Sequence, residues 1–287
     1  MSGLEDLIQV LAFPFMQRAA AAGVLIAVMC ALLGVFVVQR RLSFLGDGLA
    51  HAAFGGMGIG AFVIVSSGAL AQGGALLRNP LWVAVPFALL TGLGIAWVRD
   101  RTELSSDTAI GVFFAVSVAL GVLFFSRISP DANIGVNVMD LLFGSILAVR
   151  TTELTIIAVV AVIATTLLLA LWGRLAYATF DDELARTDGV RSRLLEYLLF
   201  GLAAVVITVS ATVVGIILMA AYLVIPAAAA RIWARSMASM TLIAVVIGVS
   251  TTLAGVALSY LFDLPTGSAI ILTQALVFVV AAFTQRR

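Results

Sequence analysis

Apolar residues run in long blocks along this chain, and short polar stretches divide them. The first block, AAAAGVLIAVMCALLGVFVV at 19–38, stops at the basic doublet Arg40-Arg41. Further blocks cover about 43–70, 81–98, 108–125, 153–172, 239–261 and 266–283. Residues 195–230 are almost uninterrupted and long enough for two short spans, with a tight turn near Gly215 and Pro226 ending or kinking the second. A run of about 18 or more apolar residues crosses a hydrocarbon core of about 30 Å as a helix. The stretch VMDLLFGSILAV at 138–149 is too short for that and reads as a re-entrant or broken helix. The pattern predicts an all-α, polytopic transmembrane helical bundle of about nine spans plus one short re-entrant segment, in a single domain over 1–287. The short alternating segments of a membrane β-barrel are absent.

Composition agrees. Apolar residues make up 63% of the chain and charged residues 11%, too little polar surface to cover a soluble domain of this length. Residues 1–18 read as an interfacial segment interrupted by Pro14, with no basic n-region or cleavage site of a signal peptide. Cys30 is the only cysteine and lies inside the first apolar block, so a packed thiol is expected there.

All 16 basic residues are arginine. A P-loop needs a lysine and no GxxxxGK[ST] occurs, so the chain carries no P-loop ATPase of its own. The arginines also set an orientation. Arg40, Arg41, Arg99, Arg101, Arg174, Arg186, Arg191, Arg193, Arg231, Arg235, Arg286 and Arg287 fall in loops on one side. Only Arg18, Arg78, Arg127 and Arg150 fall on the other, provided that 138–149 does not cross. By the positive-inside rule the first side is cytoplasmic.

The chemistry concentrates at 39–60, QRRLSFLGDGLAHAAFGGMGIG, which contains the only histidine. Asp47 and His51 stand four apart, on one face of a helix for which Ser43 is a fair N-cap. A carboxylate and an imidazole are expensive in an apolar segment unless something uses them, and a divalent transition metal takes such ligands. Two donors do not fill a coordination sphere, and a two-fold dimer would supply two more. The plainer reading is a helix-start carboxylate beside a histidine hydrogen-bonded across helices. Gly55, Gly56, Gly58 and Gly60 follow, small residues that let neighbouring helices approach.

The longest polar loop, 173–193, contains Phe180-Asp181-Asp182-Glu183 and suits a short amphipathic helix, either a solvated face or a docking point for a soluble partner. Asp140, in the re-entrant candidate, is either a lining of the outer pathway mouth or a surface helix cap.

With those residues in hand, RRLSFLGDGLAHA resembles the signature of the permeases of zinc/manganese/iron ABC importers. SSDTAIGVFFAVSVALGVLF (105–124), DLLFGSILAV (140–149), FDDELARTDGV (180–190), VVGIILMAAYLVIPAAAAR (213–231) and DLPTGSAIILTQALVFVVAA (263–282) continue the likeness in order. Gly48 and Ala50 depart from it, where members often carry a small non-glycine residue and serine. The resemblance implies a multi-pass subunit of the bacterial cytoplasmic (inner) membrane that works as a homodimer. Its expected partners are two cytoplasmic ATPase subunits, an extracytoplasmic metal-binding protein and the lipid bilayer, with no nucleic acid. Asp47 and His51 match the pathway's metal pair, and the 180–183 segment matches the region that couples to the ATPase. No cofactor is expected to be held permanently; manganese or zinc, with iron as a further candidate, is cargo, and the partner subunit uses the ATP. An ion- or proton-coupled secondary carrier and an ABC permease for a larger metal chelate are the alternatives.

Overall fold

The computed structural model describes residues 13–67, 79–128 and 138–285. Its elements follow in order as α1 (Pro14–Gln39), α2 (Leu45–Ser66), α3 (Leu81–Arg101), α4 (Ser106–Phe125), a short α5 (Val138–Phe143), a 3-10 turn (Ile146–Ala148), α6 (Thr151–Phe180), a short α7 (Asp182–Thr187), α8 (Ser192–Val214), α9 (Ile216–Trp233), α10 (Met237–Phe262) and α11 (Thr266–Thr284). Among the described residues nine helices are long and apolar enough to cross a membrane, and no strand occurs.

Four boundaries differ from the sequence reading. Pro14 opens α1 instead of interrupting an interfacial segment, because the first helical position needs no N–H and favours the fixed φ of proline. The residue preceding α2 is Phe44, and no side chain caps it, so Ser43 does not act as the N-cap. Pro226 does not end α9, which continues to Trp233. Part of the expected 173–193 loop is helix, since α6 runs 30 residues to Phe180. At 1.5 Å per residue α6 is about 45 Å long, so it projects roughly 15 Å past a hydrocarbon core. Residues 1–12, most of the glycine-rich connector at 71–79 and most of 126–137 lie outside the described residues.

The bundle forms around α1 and α2. α1 is buried almost all round, with Met29, Leu33 and Phe36 at its centre, and packs against α6, α9 and α10. α2 packs against α3, α4, α8 and α9, and its glycines set how closely. A Cβ on Gly56 would lie 2.6 Å from the Ala84 Cα, and one on Gly60 2.8 Å from the Pro80 carbonyl oxygen, both against α3. On the α4 side a Cβ on Gly55 would lie 2.6 Å from the Ser117 carbonyl oxygen, and one on Gly58 2.9 Å from that of Gly121. No side chain fits on either face, so α2 is held between two backbones as the glycine pattern predicts. Val116, Val122, Val162 and Leu169 on α4 and α6 point outward, the apolar exterior of a lipid-facing bundle.

Polar contacts gather the arginine-rich ends at one pole. Arg40 bonds Thr179, Arg99 pairs with Glu196, Arg193 pairs with Asp100 at 2.9 Å, and Arg231 reaches the Val38 carbonyl at 3.5 Å. The loops assigned to the cytoplasm by charge therefore do meet at one end. At the other end α5 and the 3-10 turn form a broken segment that does not cross. Its Ser145 N–H donates to the Val213 carbonyl at 3.0 Å, which ties the break to the α8–α9 junction at Gly215. The one cysteine, Cys30, is free and buried.

Candidate metal site and cytoplasmic helix

Asp47 and His51 occupy the first two turns of α2, near the arginine-rich pole. The local helix is specified by its small residues. Gly46 faces Ala220 and Leu223 of α9, and Gly48 faces Ile110 of α4, so two sides of this turn are packed. Asp47 and His51 fall on the side that remains, with side chains 38% and 20% exposed. They are neither buried in the core nor fully solvated.

The His51 ring is oriented by three contacts. Its Nδ1 lies 3.0 Å from the backbone oxygen of Asp47 and 3.4 Å from the Asp47 carboxylate Oδ1. A carbonyl oxygen only accepts, so Nδ1 carries the proton toward it and neutral imidazole keeps its free lone pair on Nε2. Phe114 of α4 meets the ring edge-on, with centroids 4.5 Å apart. Fixing one ring nitrogen through a carbonyl is how proteins commonly set a histidine to ligate through the other. The pair thus offers a carboxylate and an Nε2 lone pair on one helix face, one oxygen and one nitrogen donor.

Among the described residues no group of three or more His, Cys, Asp or Glu side chains could hold a metal ion. Within those residues the two donors of one chain are an incomplete site. Asp140 is placed on α5 at the opposite end of the bundle, and its side chain lies outside the described residues. The structure therefore does not bring it to Asp47 and His51.

The second predicted cluster is a shaped knob at the arginine-rich pole. Phe180 ends α6 and is 68% exposed. Asp181 caps α7, its Oδ1 accepting from the Leu184 N–H at 2.9 Å. Asp182 pairs with Arg186 one turn on at 2.6 Å, and Glu183 is exposed. Buried Ala185 seats the helix, and the Tyr177 hydroxyl donates to Asp188 at 2.5 Å to hook its far end back onto α6. What remains outward is apolar, Phe180 and Leu184, rimmed by carboxylates.

Phe114, Tyr177 and Thr179 were not singled out in the sequence. Phe114 lies within the 105–124 motif, but its contact with His51 depends on α2 and α4 running parallel in register, which no single segment encodes.

Residues 12–285 match the ABC 3 transport family. The high-affinity zinc uptake system membrane protein ZnuB of Haemophilus influenzae is 30% identical, across 96% of this chain and 99% of that protein. The manganese import system permease protein ScaB of Streptococcus gordonii is 30% identical, across 99% and 94%. Among solved structures, PsaBC from Streptococcus pneumoniae in complex with Fab superposes with a TM-score of 0.81 at 28% identity, covering 98% of this chain and 96% of that one.

Proposed function

The chain belongs to the ABC 3 transport family of metal ABC importer permeases, a multi-pass protein of the cytoplasmic membrane, and from that premise we propose how it works. It is the membrane-spanning subunit of an ATP-driven importer of divalent manganese or zinc. A second copy places two Asp47 and two His51 about a common axis, and a soluble ATPase docks on α7 from the cytoplasm. An extracytoplasmic metal-binding protein delivers the ion to the opposite end.

The observation that carries this reading is the state of the pair: two aligned donors, partly exposed, with Nε2 free and no third ligand nearby among the described residues. Two carboxylates and two imidazoles give a mixed oxygen and nitrogen set suited to manganese or zinc, without the thiolates of a tight structural zinc site. Such a site holds an ion briefly, because transport needs entry and exit to be comparably easy. The chain supplies no phosphate-binding lysine, so ATP closes the partner subunits, and their movement reaches the permease through Phe180, Asp181, Asp182, Glu183 and Leu184.

The test is uptake of radioactive manganese, zinc and iron by cells that express this chain with its ATPase and binding protein. The expected result is loss of one metal's uptake in both His51→Ala and a Walker-lysine variant of the ATPase, at unchanged protein levels. Uptake that survives His51→Ala removes the coordination site, as a permease for a larger chelate would require. Uptake that survives the ATPase variant makes the chain a secondary carrier.

A further inference from the structure

The metal pair and the α7 knob are far apart in sequence, and a side-chain hydrogen bond links the segments that lead to them. Arg40 Nε–H donates to Thr179 Oγ1 at 2.9 Å, across 139 residues. Thr179 in turn donates its own proton to the Leu175 carbonyl at 2.6 Å. That direction is forced, since a carbonyl cannot donate and a guanidinium cannot accept. The threonine oxygen is therefore fixed as an acceptor for Arg40.

Both ends of this bond sit on stiff backbone. Arg40 is the C-cap of α1, and Arg41 adopts the left-handed conformation at φ 57. The Arg41 N–H bonds the Val38 carbonyl at 3.2 Å, and the Leu42 N–H bonds that of Val37 at 2.9 Å. These are the two bonds of a Schellman motif, with arginine where glycine is usual. Leu42 is buried, its carbonyl accepts from the Leu45 N–H at 2.8 Å, and α2 begins there with Asp47 two residues on. On the other side Thr179 lies two residues before Asp181, which caps α7, and Tyr177 holds Asp188. A displacement of α7 reaches Arg40 with little backbone slack, and one at Arg40 reaches the first turn of α2.

The arginine is also only partly satisfied. Its Nη2 is buried without a hydrogen-bond partner. Burial pulls its pKa below the usual guanidinium range, with Arg99 adding repulsion while Glu196 and Asp182 act in the other direction. A half-buried cation with one buried, unpaired nitrogen is an expensive way to stabilise a turn, and a group of that kind points to a task other than stability.

We propose that Arg40 and Thr179 are positioning residues that carry movement of the ATPase-docking segment 180–187 to the turn orienting Asp47 and His51. This rests on the importer reading given above. Breaking the bond uncouples hydrolysis from transport without touching either site.

The experiment uses the complete transporter in proteoliposomes, with manganese as the ion, measuring uptake and ATP hydrolysis together. Thr179→Val keeps the side-chain shape and deletes the acceptor; Thr179→Ser keeps the acceptor. Loss of one hydrogen bond to a charged group predicts that Thr179→Val lowers manganese moved per ATP by about tenfold, with Thr179→Ser near wild type. Arg40→Met behaves like Thr179→Val; should it fail to assemble, the valine variant decides alone. Unchanged manganese per ATP in Thr179→Val overturns the proposal and leaves the importer reading standing. A fall in uptake and hydrolysis in equal proportion, unrescued by serine, overturns it as well, because a structural defect would do that. If wild type itself shows no ATP-dependent uptake of any of the three metals, both readings fall.

Discussion

Gly144 and Gly215 cross backbone against backbone. Each has a positive φ, 75 and 97, and a Cβ built on either would overlap the main chain of the other's segment. Gly144 breaks the re-entrant segment after α5, and Gly215 is the only residue between α8 and α9. The contact lets a segment too short to cross the bilayer lie on the outer end of two that do, tied by Ser145 to Val213.

Alanine at Gly215 meets both left-handed strain and a main-chain clash that no rotamer relieves. Gly215→Ala is expected to cost about 2–4 kcal/mol, within the range of severe single substitutions. Thermal unfolding of the detergent-solubilised protein checks this: the midpoint should fall by several degrees. Gly173→Ala, inside α6 with open space around its site, should leave it unchanged or raise it slightly.

A second expectation concerns the departure at Gly48. Its added Cβ would lie 2.5 Å from Ile110 Cγ2, the methyl on the branched β-carbon of that side chain. The clash can be relieved by trimming the neighbour. Gly48→Ala should cost about 1–3 kcal/mol by overpacking, and that cost should shrink in a chain that already carries Ile110→Ala, which removes the Cγ2 methyl. A double-mutant cycle on thermal stability measures the coupling, which should be favourable for Ile110→Ala and absent for an alanine placed at a distant buried isoleucine.

The spans were legible because apolar runs and arginine-rich loops are local signals that lipid and charge enforce directly. The glycine set of α2 was legible too, as small residues at Gly55, Gly56, Gly58 and Gly60 have little other use in a membrane helix. Pro14 was misread because the same ring that breaks a helix interior favours a helix start, and only the downstream residues decide which. Tertiary partners were invisible: Phe114 on His51, Thr179 on Arg40 and Gly144 on Gly215 are brought together by packing, and nothing in their neighbouring residues announces it. Asp47 and His51 stand out in the sequence because they are rare chemistry in an apolar run.

If His51 ligates the transported metal as proposed, Phe114 should influence that metal without touching it. Its edge-on contact holds the imidazole plane while the Asp47 carbonyl holds Nδ1. Removing an orienting neighbour of a ligating histidine typically costs about 10–100-fold in affinity. Phe114→Ala is expected to weaken manganese binding to the purified permease by about tenfold within that range, and Phe114→Tyr to spare it. Electron paramagnetic resonance titration with manganese reads the free ion directly. Equal affinity in wild type and Phe114→Ala would mean the ring is held by the α2 carbonyl alone.

The cytoplasmic knob gives the last expectation. Phe180 and Leu184 are 68% and 51% exposed, so neither contributes much to the fold. If a partner covers them, each is a central apolar anchor with a carboxylate rim, and anchors of that kind dominate an interface. Phe180→Ala should therefore raise the dissociation constant of the ATPase by about 10–100-fold. Asp182→Asn removes a surface ion pair to Arg186 and should change the affinity by no more than about fivefold. Thermal stability should stay unchanged in both. Binding of the ATPase to permease in nanodiscs, followed by interferometry, separates the two variants. Equal, small effects of both would place the docking surface elsewhere on the cytoplasmic face, and a stability loss in Phe180→Ala would show that its ring supports the end of α6.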